Sequence, residues 1–263
     1  MSKIPKIIHY CWFGGNPLSK LAEDCIESWK KHCPDYEFVR WDESNFDLNC
    51  NRYVLEAYNS KKWAFVTDYV RLYALYHYGG IYMDTDVEVV QSLDQFLDHD
   101  AFTGCENEKF CVTGLMAARK NHPWIKSLLS YYDDRSFILP DGDYDHTPNT
   151  EVITDYTIKE YGWKPLDKFQ ELKDGLVIYP FEYFCSKDYE TGEIYKTENT
   201  YSIHHFNGSW HTEEEKKWRK KNEQYTKLFG KNIGKFIVRI ESSLSRNGIK
   251  GSIKKLLQRL RTK

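Results

Sequence analysis

The stretch Gly79-Gly80-Ile81-Tyr82-Met83-Asp84-Thr85-Asp86 sets two carboxylates one residue apart at the end of a short apolar strand. Like charges this close raise a pKa or call for a cation. Hard divalent ions such as Mg²⁺ or Mn²⁺ take oxygen ligands and bridge a few carboxylates to the phosphates of a substrate. A solvated acidic turn is the plain alternative for any D-x-D. The helix, double glycine and apolar strand that lead into this one weigh against it.

Immediately upstream, Lys62 to Tyr78 carries Val66, Tyr69, Val70, Tyr73 and Tyr76 on one face and stops at the two glycines, the pattern of a buried helix with a glycine end. Asp68 and Arg71 stand three residues apart on it and can pair. In so apolar a helix that pair is costly without further partners, which the hydroxyls of a sugar would supply. Further upstream, Ile4 to Trp12 reads as a first strand ending at Gly14-Gly15, and Leu18 to His32 as a helix closed by Pro34. Tyr36 to Trp41 is a second strand and Arg52 to Tyr58 a helix.

Downstream, Val87 to Val90 continues the D-x-D strand, and Ala101 to Gly104 and Thr113 to Ala117 are further strands. His122 to Tyr132 is a helix and Asp133 to Thr150 a long Asp-, Gly- and Pro-rich loop, a common place for acceptor binding. Glu151 to Tyr161 reads as helix, Gly175 to Tyr179 and Tyr201 to His205 as strands, and Thr212 to Phe229 as a charged helix with an acidic first turn. Strands alternating with helices define an α/β fold with a largely parallel, helix-flanked sheet.

The 263 residues suit one large α/β domain, and 41% apolar content with 16% aromatic is enough for a packed core. The net charge of −2 hides an asymmetry. Residues 231–263 hold ten Lys/Arg against one acid, Glu241, a net +9 that leaves −11 on the remainder. An acidic body argues against nucleic acid as its substrate. Residues 1–230 are expected to form the domain and 231–263 a basic amphipathic tail. Ile233, Phe236, Ile237, Ile240 and Leu244 recur at helical spacing between the cations, which suits an anionic membrane surface or, nearly as well, a packed partner. Seven cysteines without a C-x-x-C pair imply a reducing compartment. The chain enters a strand almost at once, without an apolar leader, and no apolar run approaches a membrane span. The expectation is a cytoplasmic protein, peripheral at the inner face of the cell membrane.

Two more blocks carry chemistry. Trp12 ends the first strand in His9-Tyr10-Cys11-Trp12-Phe13-Gly14-Gly15, where ligands of open α/β sheets bind, and its ring could stack on a base or simply pack. No phosphate-loop pattern accompanies it. His204-His205-Phe206-Asn207-Gly208-Ser209-Trp210 offers an imidazole as metal ligand and donors for phosphate oxygens. Neighbouring strand residues face opposite ways, so only one histidine of the pair should reach the site.

The order of these blocks, with Phe65-Val66-Thr67-Asp68-Tyr69-Val70-Arg71 among them, resembles the D-x-D sugar-region glycosyltransferases of family 32, which serve capsular and cell-surface polysaccharide synthesis and are related to initiating mannosyltransferases. More distantly it is similar to the glucosylating domains of clostridial toxins. The resemblance covers roughly residues 4 to 210. It implies a single Rossmann-like domain of GT-A type, a mixed, mostly parallel sheet, a nucleotide-sugar donor with UDP preferred over GDP, Mn²⁺ or Mg²⁺, and retention of configuration. By the same resemblance Trp12 would stack on the base, with Tyr82 beside the nucleotide, and Asp68 and Arg71 would hold the donor sugar. Asp84 would lie between ribose and metal, Asp86 and His205 (in preference to His204) would ligate the metal, and Ser209 and Trp210 would contact phosphate. Asn149 is a candidate for a sugar or acceptor contact. A D-x-D phosphatase or phosphotransferase, and a non-catalytic sugar- or metal-binding module at a membrane, are the competing readings; Glu88, two residues past the second Asp, departs from the phosphatase pattern.

Overall fold

A computed structural model describes residues 3–208 and 213–245. The chain divides into two compact units: Met1–Lys187 with Tyr195–Asn207, and Asp188–Ile194 with Gly208–Lys263.

The first unit is built on a seven-stranded sheet in the order β2-β1-β3-β6-β5-β8-β7. Its strands are β1 (Ile7–Cys11), β2 (Glu37–Trp41), β3 (Gly80–Met83), β5 (Ala101–Cys105), β6 (Cys111–Ala118), β7 (Gln170–Glu171) and β8 (Leu176–Tyr179). Only β6 and β7 run against the rest, so the sheet is mixed and mostly parallel, as expected. Two apolar layers cover it. On one side α2 (Arg52–Asn59), α3 (Trp63–Tyr78), α4 (Pro123–Ser130) and α5 (Asn149–Tyr161) contribute to a core containing Val54, Val66, Leu75, Trp124 and Ile153. On the other, α1 (Lys20–His32) lays Cys25, Ile26 and Trp29 against Ile8, Ile81 and Val87.

Local chemistry sets these boundaries. The Ser19 hydroxyl accepts the Ala22 amide at 3.2 Å and opens α1. The Asn51 side chain caps α2, and its amide donates to the Tyr132 carbonyl at 3.0 Å. α3 is apolar almost all round and buries Val66, Tyr69, Val70, Leu72, Ala74 and Leu75 together with Arg71. Gly79 ends it at φ +72°, and Gly80 follows at φ +111° with Ile7's carbonyl oxygen 2.6 Å from where a Cβ would stand. Only glycine fits there.

One expectation is corrected. Val87 onward does not prolong the D-x-D strand. The Asp84 amide donates to the Gly114 carbonyl, Val87 N–H donates back to the Asp84 carbonyl, and the chain turns out of the sheet. It re-forms as β4 (Val87–Val89), which pairs antiparallel with β9 (Ser202–His204) in a separate two-stranded ribbon, Val87 opposite His204. The long loop after α4 also ends two residues earlier than expected, because α5 starts at Asn149 behind Pro148.

In the second unit, α6 (Glu213–Phe229) ends at Gly230, and a further helix covers residues 231–245. Lys221 and the Tyr225 hydroxyl both engage Glu241, and Lys231 and Lys235 both pair with Glu190. Among the described residues no helix is long and apolar enough to cross a membrane, and all seven cysteines are free.

Candidate functional site

The site lies where β1 and β3, parallel neighbours, deliver their carboxyl ends. From α3, Arg71 reaches two carboxylates at once: its Nη2 is 3.2 Å from Asp68 Oδ1 and 3.2 Å from Asp84 Oδ1. Its guanidinium lies 4.6 Å over the Tyr82 ring, and the Tyr82 hydroxyl donates to Asp84 Oδ1 at 2.9 Å. The Asn149 amide, at the start of α5, donates to Asp68 Oδ1 at 2.5 Å. Asp68, Arg71, Tyr82, Asp84 and Asn149 therefore form one network drawn from three elements and one turn, buried at Arg71 and Tyr82 and half-buried at the other three.

Its electrostatics follow from burial. Burial drives Asp68 up to about 7, with Arg71 opposing and Asp84 adding to the rise. Burial likewise raises Asp84 against the pull of Arg71. Arg71 itself is held charged by Asp84 and Asp68 although burial works against it. A guanidinium is the right cation here, since it cannot lose its proton and can serve two acceptors.

Asp86 is treated differently. Burial works to raise it, but the His204 imidazolium and the Asn207 amide bring it down to about 2. Asn207 N–H donates to Asp86 Oδ2 at 2.7 Å, and His204 Nε2 is 3.4 Å from Asp86 Oδ1. Asp86 in turn holds His204 protonated well above the ordinary imidazole range in spite of its burial.

Here the structure departs from the expected ligand set. The imidazole beside the D-x-D is that of His204, whereas His205 points the other way and pairs with Glu88 Oε2 at 2.9 Å. The strand alternation between the two histidines is as expected, but β9's register against β4 selects the first. Gly114, on β6, makes room for that ring: a Cβ there would stand 2.8 Å from His204 Nδ1. Among the described residues the buried Nδ1 atom meets no partner of hydrogen-bond geometry, although the Cys185 side chain helps to hold the ring protonated.

Asp84, Asp86 and His204 offer ligand atoms that all lie within 4.8 Å of one another. Two carboxylates and an imidazole suit Mn²⁺ or Mg²⁺ with open positions left for substrate oxygens, so the residues fit the implied metal.

Trp12 follows Cys11 at the carboxyl end of β1, and Cys11 is within electrostatic reach of Arg71, Asp84 and Asp68. The Trp12 ring is half-buried and its Nε1 donates to the Asn16 carbonyl at 2.7 Å. Ser209 and Trp210 lie outside the described residues. One carboxyl escaped the sequence reading: Glu106, in the β5–β6 hairpin, is raised by burial and sits within reach of His204 and Asp84. In sequence it is one acid of a polar turn, Glu106-Asn107-Glu108-Lys109, with nothing to set it apart.

Residues 19–103 match the family described as "glycosyltransferase sugar-binding region containing DXD motif", a span that includes Asp68, Arg71, Asp84 and Asp86. Over that span the chain is similar to the D-x-D glycosyltransferases. Among curated relatives it is 34% identical over 130 residues to inositol phosphoceramide mannosyltransferase 3 of Schizosaccharomyces pombe, covering 46% of this chain and 35% of that protein. It is 31% identical over 149 residues to a mannosyl phosphorylinositol ceramide synthase of Saccharomyces cerevisiae, covering 51% and 37%. The chain thus spans little more than a third of either relative. Among solved structures, a glycosyltransferase involved in glycosylation of the major capsid of PBCV-1 is similar over 85% of this chain and 100% of that one, at 14% identity and a TM-score of 0.43.

Proposed function

We propose that the protein transfers a hexose, with retention of configuration and dependence on a divalent metal, from a nucleotide-sugar to a saccharide acceptor in cell-surface polysaccharide synthesis. The observation that carries this reading is the union of the Asp84–Asp86–His204 group with the Asp68–Arg71–Asn149 network. One cluster suits a cation and a diphosphate, and the other suits sugar hydroxyls. The mannosyltransferase names of the relatives favour mannose as the sugar. UDP is the first nucleotide to test, on the Trp12 block, and GDP the second.

In the reaction, the bond from C1 to the diphosphate breaks and a bond from C1 to the acceptor oxygen forms on the same face. The acceptor's proton leaves with the diphosphate. Asp84, Asp86 and His204 would hold the metal ion, which when bound supplies charge compensation for the departing diphosphate. Asn207's backbone amide fixes the Asp86 carboxylate, and Arg71 fixes Asp84 and Asp68 in a common orientation. Asp68 accepts hydrogen bonds from the sugar, with Asn149 as its fixed neighbour. Ser209 and Trp210 would donate to the phosphate oxygens. Donor hydrolysis measured across UDP- and GDP-hexoses, with Mn²⁺ and with chelator, tests the reading. Mn²⁺-dependent turnover that Asp86→Asn abolishes supports it, and full activity in Asp86→Asn refutes it.

A second part concerns location. In the second unit Phe229, Ile233, Phe236, Ile240 and Leu244 follow one another at helical spacing and all are exposed, Phe236 at 62%. Residues 246–263 add seven Lys/Arg and no acid. This favours an anionic membrane surface as the unit's partner. Vesicles containing phosphatidylglycerol should sediment the protein, phosphatidylcholine vesicles should not, and Phe236→Glu should release it.

A further inference from the structure

We propose that a cleft of about 710 Å³ on the first unit, lined by Arg52 and Glu56 of α2 and by Arg135, Ile138, Leu139 and Asp145 of the loop after α4, is the binding site for a neutral saccharide acceptor. The inference rests on the glycosyl-transfer reading and adds to it the place and the chemical class of the acceptor.

The cleft is built rather than incidental. Arg52 Nε donates to Glu56 Oε1 at 2.7 Å, and the Ile138 amide donates to Glu56 Oε2 at 2.9 Å. One carboxylate therefore ties the helix wall to the loop wall. Opposite it, Arg135 pairs with Asp145, whose Oδ1 also accepts the Thr147 hydroxyl and amide. Arg135 stands 4.3 Å over the Tyr131 ring, and its buried Nε has no hydrogen-bond partner among the described residues. A buried donor left open costs stability unless a ligand or water completes it.

The lining chooses its ligand. Two guanidiniums face two carboxylates, so no net field draws an anion or a cation. What remains is a pair of donor–acceptor couples at fixed separation. A sugar diol donates one hydrogen bond and accepts another, and so completes such a couple without adding charge. Ile138 and Leu139, 38% and 37% exposed, give an apolar wall for the C–H face of a pyranose ring. The volume suits about two hexose units.

The same loop connects the cleft to the donor side. Four residues after Asp145 it delivers Asn149 to Asp68. Tyr53, buried on α2, feels the charges of Asp68 and Asp145 as well as that of Arg135. The proposal therefore seats the acceptor beside the loop that carries Asn149 to Asp68.

The test is saturation-transfer NMR and calorimetry on the full chain with mannobiose and lactose, and with 3′-sialyllactose as the anionic comparison. At least one neutral disaccharide should bind, and the anionic one should bind no better. Leu139→Trp, which fills the cleft, should weaken that binding at least tenfold. Arg52→Met removes an exposed side chain, is tolerated by the fold, and should weaken it at least threefold. Absence of binding by both neutral sugars, preference for the sialylated one, or binding unchanged in both variants would overturn the proposal. Donor hydrolysis by the wild-type protein is measured alongside. Its presence without disaccharide binding sinks only the cleft, whereas its absence sinks the transfer reading.

Discussion

Acid should destabilise this protein through His9, a buried imidazole on β1. His9 is 1% exposed on β1. Its Nδ1 accepts from Trp41 Nε1 at 3.2 Å, which leaves Nε2 to carry the proton it donates to the Gly79 carbonyl at 2.8 Å. Burial depresses its pKa to about 4, with the Gly79 carbonyl pulling weakly the other way. The unfolded chain binds that proton near 6.5. Below pH 6.5 the unfolded state holds more protons than the folded one, so stability falls as pH falls and levels off near pH 4. It does not change above about pH 7. A gap of roughly 2.5 units corresponds to about 3 kcal/mol across that window. Other groups titrate there too, Asp68 among them, so the contribution is isolated by difference. His9→Gln keeps a donor for Gly79 and an acceptor for Trp41 but does not titrate. Urea unfolding followed by tryptophan fluorescence at pH 7.5 and 4.5 should show the wild type losing about 3 kcal/mol more than His9→Gln. A difference below about 0.5 kcal/mol would mean that His9 is not held neutral between Trp41 and Gly79, and would refute the reasoning.

The two histidines of the closing block should separate cleanly: His204→Ala should lower Mn²⁺ affinity, measured by calorimetry, at least tenfold, and His205→Ala should change it less than threefold. Gly114→Ala should reproduce part of the first effect, because its methyl would meet the His204 ring, and should spare most of the unfolding free energy. Arg71→Met takes their shared cation from two half-buried carboxylates and should cost about 3 kcal/mol in urea unfolding; a loss below 1 kcal/mol would mean the network is not load-sharing in the way its distances imply. Gly80→Ala forces a methyl against the Ile7 carbonyl at positive φ and should cost on the order of 3 kcal/mol.

What sequence reveals here depends on how local its cause is. The glycine stop after α3, the Asp68–Arg71 spacing and the D-x-D at a strand's end are fixed by residues within one or two turns of each other, and each is found where the pattern put it. The choice between His204 and His205 is not local. It depends on the pairing of Val87 with His204, and a one-residue slip would exchange the faces. The exit of the chain at Asp84 was hidden for a similar reason, since the Gly114 carbonyl that receives the Asp84 amide belongs to a strand not yet made. Glu106 could not be singled out at all, because a carboxylate in a polar turn gains meaning only from the imidazole it faces. Asn149 was legible as a candidate sugar or acceptor contact within a long loop; that its amide meets Asp68 is a matter of where Pro148 starts a helix.

The β4–β9 ribbon has a consequence in time as well as in space. The Asn207 amide that fixes Asp86 lies 121 positions away along the chain. During synthesis, α3, the double glycine and the D-x-D leave the ribosome long before β9 exists to pair with β4. Until then Asp86 has neither His204 nor its amide partner, while Asp84 already has Arg71 and the Tyr82 hydroxyl. Closing so long a loop is slow relative to forming the helices around it. A nascent chain released before about residue 207 would therefore contain the whole D-x-D motif and most of the sheet, yet lack part of the Asp84–Asp86–His204 group and its support. Competence arrives with the last strand.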